Sequence, residues 1–238
     1  MSSRIGVVGI GNMGLPIAQR LAECGHAVTV HDADPARVAL AAPLPAGADA
    51  ATIAAGCDVL IVVVVDAAQT DAVLFGPRGA APAMGAGQAV LLCPTIGPAD
   101  TERFAAALAA RGIDAVDAPM SGGPARARDG SMSLMVACAD AVFERHEPLL
   151  RSMASRLIRV GTRPGDGART KLVNNLLAAV NLAGAAEALA LATRLGLDPV
   201  RTLDVIEQSS GQCWIASDRL RRALAGDRAP RAHASLLA

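Results

Sequence analysis

Lys171 is the residue at which chemistry is first expected. It is the only lysine in a chain that carries 21 arginines. Arginine stays protonated in proteins, whereas a lysine amine can be tuned to give and take a proton. A chain that uses Arg for nearly every solvated positive charge and Lys once therefore points to a need for the ammonium itself. Asn174 and Asn175 follow three and four residues later, so on a helix the three polar side chains share one face. Asn costs up to about 0.7 kcal/mol relative to Ala inside a helix. The surrounding run uses Ala and Leu freely, so the pair breaks the local rule as functional positions do. A merely solvated face would be served as well by Glu and Arg. A free lysine titrates near about 10.4 and accepts a proton poorly at neutral pH, while burial or nearby positive charge brings it toward about 7–8. The start of a helix, Arg169 two residues before, and apolar Leu172 and Val173 after it supply such causes.

A second set of residues points to what the proton transfer accompanies. The run Gly9-Ile10-Gly11-Asn12-Met13-Gly14 follows a strand-like segment and precedes a helical one. In that context the backbone N–H groups and the helix N-terminus face a pyrophosphate. Gly9 makes the tight turn, Gly11 admits the phosphates, and Gly14 lets helix pack on strand. Asp32 lies 18 residues beyond Gly14 at the end of the next strand signal, near the spacing at which an acid meets the adenosine ribose hydroxyls. Its carboxylate would repel a 2′-phosphate, and Ala33, Asp34 and Pro35 follow it with no Arg directly after. The expected cofactor is NAD, with NADP less favoured; Asp34 is the better candidate for capping the helix after Pro35. Lys171 would then take a hydroxyl proton as hydride leaves the same carbon for the nicotinamide. Ser121, Gly122 and Gly123, after another strand end, can turn successive N–H groups and a hydroxyl toward a substrate carboxylate. The absence of tyrosine excludes a phenolic acid as the proton donor.

These groups need a scaffold, and the sequence describes one. Up to about residue 160, apolar β-branched runs alternate with Ala-rich helical stretches, the pattern of a doubly wound, mostly parallel α/β sheet of Rossmann type. Strands are expected at residues 5–8, 27–31, 59–65, 89–93, 115–118 and 157–160, with a further candidate at 133–137. The segment 59–65 is apolar throughout, as a strand buried on both faces should be. After a Gly- and Pro-rich link at 161–167 only helices are expected: one running to Leu195 and closed by Gly196, then others near 199–208 and 215–225. A boundary is therefore set between a dinucleotide-binding domain, 1–162, and an all-helical substrate and subunit-contact domain, 163–238, small enough to lean on a partner.

Composition narrows the partners. The 22 basic and 22 acidic groups cancel, which gives no electrostatic reason for binding nucleic acid or an anionic membrane. Small molecules are expected instead. Five cysteines without a C-x-x-C pair read as free thiols of a reducing compartment, and no metal site is spelled. No leader precedes the first strand, and the longest apolar run, 172–192, is interrupted by Asn174, Asn175, Asn181 and Glu187. A cytoplasmic protein without a membrane span is expected.

Together the motifs resemble the β-hydroxyacid dehydrogenases, the family of 3-hydroxyisobutyrate, tartronate-semialdehyde and L-threonate dehydrogenases. The resemblance rests on residues 7–16, on Asp117–Gly123 with Gly130-Ser131-Met132, and on residues 165–175. It implies that Lys171 is the general acid and base, Asn175 a substrate contact, residues 121–123 the carboxylate site, and Thr95 a nicotinamide-side contact. Within the family, Val65 and the residues after it, 73–76, and 231–235 look most like the L-threonate dehydrogenase branch, with Val65 beside the cofactor. Family members pair as dimers or tetramers through the helical region, so a homodimer or homotetramer is implied. They also continue through more helices than the chain, which stops at Ala238 and looks shortened. Two other readings stand beside an NAD-dependent dehydrogenase of a small hydroxy acid. One is an NAD-binding interaction module without turnover; the other is an imine reductase, against which the retained Lys171 tilts.

Overall fold

The computed structural model describes residues 2–227, so the motif at 231–235 lies outside the described residues. The chain divides into two compact units, Met1–Lys171 and Leu172–Ala238. The first unit runs β1 (Arg4–Val8), α1 (Gly14–Glu23), β2 (Ala27–His31), α2 (Pro35–Leu40), α3 (Ala50–Gly56), β3 (Val59–Val62), α4 (Ala67–Phe75), β4 (Ala89–Leu92), α5 (Pro98–Ala109) and β5 (Asp114–Asp117). It continues through β6 (Met120–Ser121), α6 (Gly123–Asp129), β7 (Ser133–Ala137), α7 (Asp140–Met153) and β8 (Arg156–Gly161) to α8 (Asp166–Arg194), inside which the two units divide.

The eight strands form one sheet in the order β2-β1-β3-β4-β5-β7-β6, with β8 on β7. Strands β1 to β5 are parallel, β7 is antiparallel to β5 and β6, and β8 is parallel to β7. This is the expected doubly wound, mostly parallel sheet. Alternate residues of β3 feed opposite layers: Val59 and Ile61 join a cluster with Ile17, Leu21 and Leu150, while Leu60 and Val62 join Leu74, Phe104 and Leu108. That two-sided burial is why the strand reads as unbroken hydrophobicity. Four helices start on an aspartate one residue before them: Asp34 for α2, Asp49 for α3, Asp66 for α4 and Asp198 for α9 (Pro199–Glu207). Each side chain accepts N–H groups that the first turn leaves without helical partners. The outer edge of β2 is met by residues 45–47, with the Val30 N–H donating to Pro45 O and the Gly47 N–H to Val30 O.

One expectation needs correction. The run 59–65 is a strand only to Val62; Val65 is 44% exposed. After the Val63 N–H reaches Val8 O, the chain turns because Asp66 accepts the Gln69 N–H and Gln69 Oε1 accepts the Val65 N–H, a reciprocal arrangement that starts α4 early. In the loop after β5, Met120 and Ser121 pair with Leu134 and Ser133 as a two-residue strand.

In the second unit α8 continues to Arg194 and is followed by α9 and α10 (Trp214–Leu224). Arg221 ties the last two together through Asp204 and Glu207. By length and composition alone α8 could cross a bilayer, though Asn174, Asn175, Asn181 and Glu187 fall within it.

Candidate active site

In the strand order 2-1-3 the direction of winding reverses between β1 and β3, and ligands of open α/β sheets bind beyond the strand ends at such a switch point. The Gly9–Gly14 loop occupies it. Gly9 leaves β1 with φ +90°, a conformation open to glycine and costly for other residues. Its N–H donates to His31 O (2.9 Å), joining the loop to the end of β2. A Cβ on Gly14 would overlap the Gly9 carbonyl oxygen, so α1 begins in direct contact with the turn and Met13 forms its N-cap. Gly11 is different. An added methyl there would meet only the Arg37 guanidinium, at 3.4 Å. An open approach between a helix N-terminus and a cation suits a diphosphate, so these residues fit a dinucleotide.

Asp32 lies at the carboxyl end of β2, where its Oδ2 accepts the Ile10 N–H and its Oδ1 the Asp34 N–H, both at 2.9 Å. The carboxylate thereby holds the glycine loop to the residues after β2. Asp34 caps α2 through the Ala36 N–H, as expected. Arg37 draws its guanidinium to Asp34 (3.8 Å) and over Gly11. The sequence gives no sign of this contact, because only the turn of α2 brings residue 37 back to residue 11. Val65 and the half-buried Thr95 follow β3 and β4 at the same edge of the sheet.

The next strand end carries Asp117, 2% exposed, followed by Ser121, Gly122 and Gly123. Gly122 has φ +139° and precedes α6, so the chain reverses there and Ser121 stays half-buried on β6. Asp117 Oδ2 accepts the Gly165 N–H (2.7 Å) and the Ala168 N–H (3.1 Å), and the Gly167 N–H bonds to the same carboxylate. A Cβ on Gly167 would lie 2.8 Å from it. Burial pushes the carboxyl up to about 6, against the three N–H bonds that pull it down. Nothing in the sequence pairs residue 117 with residues 165–168. The one signal is an acid ending an otherwise apolar strand.

Lys171 is 8% exposed, one turn beyond Ala168, and burial draws its amine down to about 8. None of the ion pairs among the described residues involves it. Arg169, expected to help depress that amine, instead turns to Glu102 and Asp166, so desolvation alone accounts for the shift. Farther along α8, in the second unit, Asn175 is buried and Asn174 is exposed; Asn174 Nδ2 lies 3.5 Å from Asn175 Oδ1. A groove of about 480 Å³ lies elsewhere, between α5, α7 and the start of β5, lined by Ala105, Ala109, Asp114 and Val142 and by none of the expected site residues.

Comparison with known proteins shows what the chain is similar to. Residues 4–161 match the family model described as the NAD binding domain of 6-phosphogluconate dehydrogenase. Residues 165–238 match that of the NAD-binding of NADP-dependent 3-hydroxyisobutyrate dehydrogenase. The chain is 41% identical to the L-threonate dehydrogenase of Cupriavidus necator over 97% of its own length and 78% of the relative's. It is 38% identical to the 3-hydroxyisobutyrate dehydrogenase of Pseudomonas aeruginosa, covering 88% of the chain and 71% of the relative. Among solved structures, a 3-hydroxyisobutyrate dehydrogenase from Salmonella typhimurium superposes with a TM-score of 0.89 at 36% identity, covering 98% of the chain and 82% of that structure.

The glycine geometry separates folding from binding. Gly11→Ala should leave the melting temperature unchanged while weakening NAD binding at least about tenfold, read by fluorescence titration. Gly14→Ala should lower the melting temperature by several degrees, because its methyl must displace backbone.

Proposed function

The chain belongs to the β-hydroxyacid dehydrogenase family, and we propose that it moves a hydride between NAD and a small hydroxy acid of the L-threonate or 3-hydroxyisobutyrate type, with Lys171 as general acid and base. The observation that carries the reading is the burial of the only lysine one turn into α8, whose start is bonded to the strand end that opens the 121–123 loop. Relatives that carry those two activities match most of the chain, which supports the substrate class.

Each residue has a task within this reading. Residues 9–14, with Asp32, Val65 and Thr95 along the strand ends, hold the dinucleotide, which when bound supplies the hydride acceptor. The Ser121 hydroxyl and the N–H groups of Gly122 and Gly123 hold the substrate carboxylate, and Asn174 and Asn175 bind the hydroxylated end. In oxidation the neutral amine of Lys171 removes the hydroxyl proton; in reduction the ammonium returns it. Burial serves both directions, since an amine near 8 is present in both forms around neutrality. Residues 1–162 are assigned to the dinucleotide and 163–238 to substrate and subunit contact. NAD is preferred to NADP because Asp32 presents a negative charge beside the ribose site. The free cysteines support a reducing, cytoplasmic setting.

Self-association follows from α8. Val173, Leu176, Leu177 and Val180, each more than half exposed, fall at the i, i+3, i+4, i+7 spacing of one apolar stripe. No charged residue interrupts the helix between Leu172 and Ala186. A second copy, bringing the same stripe around a twofold axis, is the proposed partner.

Four measurements test these assignments. Lys171→Ala should lower turnover by about 100- to 10,000-fold with NAD binding retained; wild-type turnover in the variant refutes the role. For the native chain, kcat/KM for oxidation should rise with pH through about 8, and that for reduction should fall through the same value, because the two directions need opposite forms of the amine. In a paired assay NAD should give the higher kcat/KM, and a preference for NADP would overturn the role of Asp32. Leu176→Glu should convert a dimer, by light scattering, into a particle near the 24.0 kDa of one chain; an unchanged mass excludes the stripe as the interface.

A further inference from the structure

The start of α8 is held unlike the starts of α2, α3, α4 and α9. Those four helices are capped by an aspartate one residue before them, a local device that satisfies the first turn at the surface. The first-turn N–H groups of α8 converge instead on Asp117, 48 residues upstream of Gly165 and 2% exposed. Burying a carboxylate is costly, and a solvated local cap would have satisfied the same groups. What the buried one adds is connection. On one side it grips residues 165–168, one turn before Lys171. On the other it is continuous with the loop that carries Ser121, which is itself pinned by the Ala118 N–H on Leu92 O and the Met135 N–H on Pro119 O.

We propose that Asp117 is a positioning residue for proton transfer: its carboxylate locks the first turn of α8 to the end of β5, and so sets where the Lys171 amine stands relative to the 121–123 loop. The inference rests on the assignment of Lys171 as acid and base. It goes beyond that assignment by making the spacing between the anion-holding loop and the amine a property of one buried contact. The close approach at Gly167 belongs to the same device, since a methyl there would push against the carboxylate at 2.8 Å.

The test compares Asp117→Asn and Gly167→Ala with the full native chain. Reductive methylation with ¹³C-formaldehyde labels the α-amine and the one lysine; the signal that is lost in Lys171→Ala is that of Lys171, and its titration reports the amine without reference to turnover. Both variants should lower kcat by about 100-fold, the scale expected of a misplacement near 1 Å, with KM for NAD unchanged. The midpoint of the methylated amine should move from about 8 upward toward the free-lysine value of about 10.4, as a loosened first turn admits water. Gly167→Ala is the sharper case, because Ala favours a helix over Gly; a purely structural contact predicts normal kinetics there. Should Asp117→Asn fail to fold, Gly167→Ala carries the test by itself. Wild-type kcat and an unmoved midpoint in the folded variants overturn the proposal, as does a lower melting temperature with both unchanged. If Lys171→Ala retains turnover while the midpoint still moves in these variants, the acid and base assignment fails and the positional lock survives.

Discussion

Asp117 is kept out of water by the strand it ends and must therefore be satisfied by backbone, which it finds in the N–H groups of residues 165, 167 and 168. The contact imposes its own conditions on the chain around it. Gly167 must lack a side chain so that the carboxylate can approach. The link after β8 must be short enough to bring residue 165 back to the end of β5. Arg169, on the same turn, is occupied by Glu102 and Asp166, which leaves the Lys171 amine governed by desolvation alone. A buried carboxylate thus holds the turn that precedes a buried amine, each with its environment assigned by different groups.

The dinucleotide end obeys a different constraint, that of crowding. Gly9, Gly14 and the Val63 carbonyl approach so closely that no methyl fits at either glycine, while the middle glycine opens toward a guanidinium. Asp32 adds a tie from β2 to the loop through the Ile10 N–H. The same carboxylate is thereby part of the loop's architecture and of its electrostatics, and one substitution there would disturb both.

Much of this was legible in the sequence because it is local. The Gly9–Gly14 run, Asp32 and the apolar β3 carry their meaning within a few residues of themselves, and the helix start at Asp34 follows from a side chain that reaches only its own first turn. Most of what stayed hidden depends on residues distant in sequence. The end of β3 is a local exception: the valines at 63–65 carry the same strand propensity as Val62, so only the pairing of Asp66 with Gln69 reveals where the strand stops. The two-residue β6 exists because β7 stands beside it. Arg37 reaches Gly11, and Asp117 reaches residue 165, by routes that periodicity does not encode. Arg169 looked like a source of repulsion for Lys171 until its carboxylate partners came into view.

The covering of β2 by residues 45–47 has a consequence for the chain's behaviour in a crowded solution. An uncovered edge strand offers a ladder of donors and acceptors on which a foreign strand can be templated, and the valine-rich core of this sheet is the kind of segment that stacks when it finds such a template. Here one rim meets a proline-containing segment that uses the Val30 N–H and C=O, and the other rim, β8, carries Arg156 and Arg159, charged residues of the kind that make an edge strand a poor template. The sheet thus carries at each rim a feature that opposes growth by strand exchange.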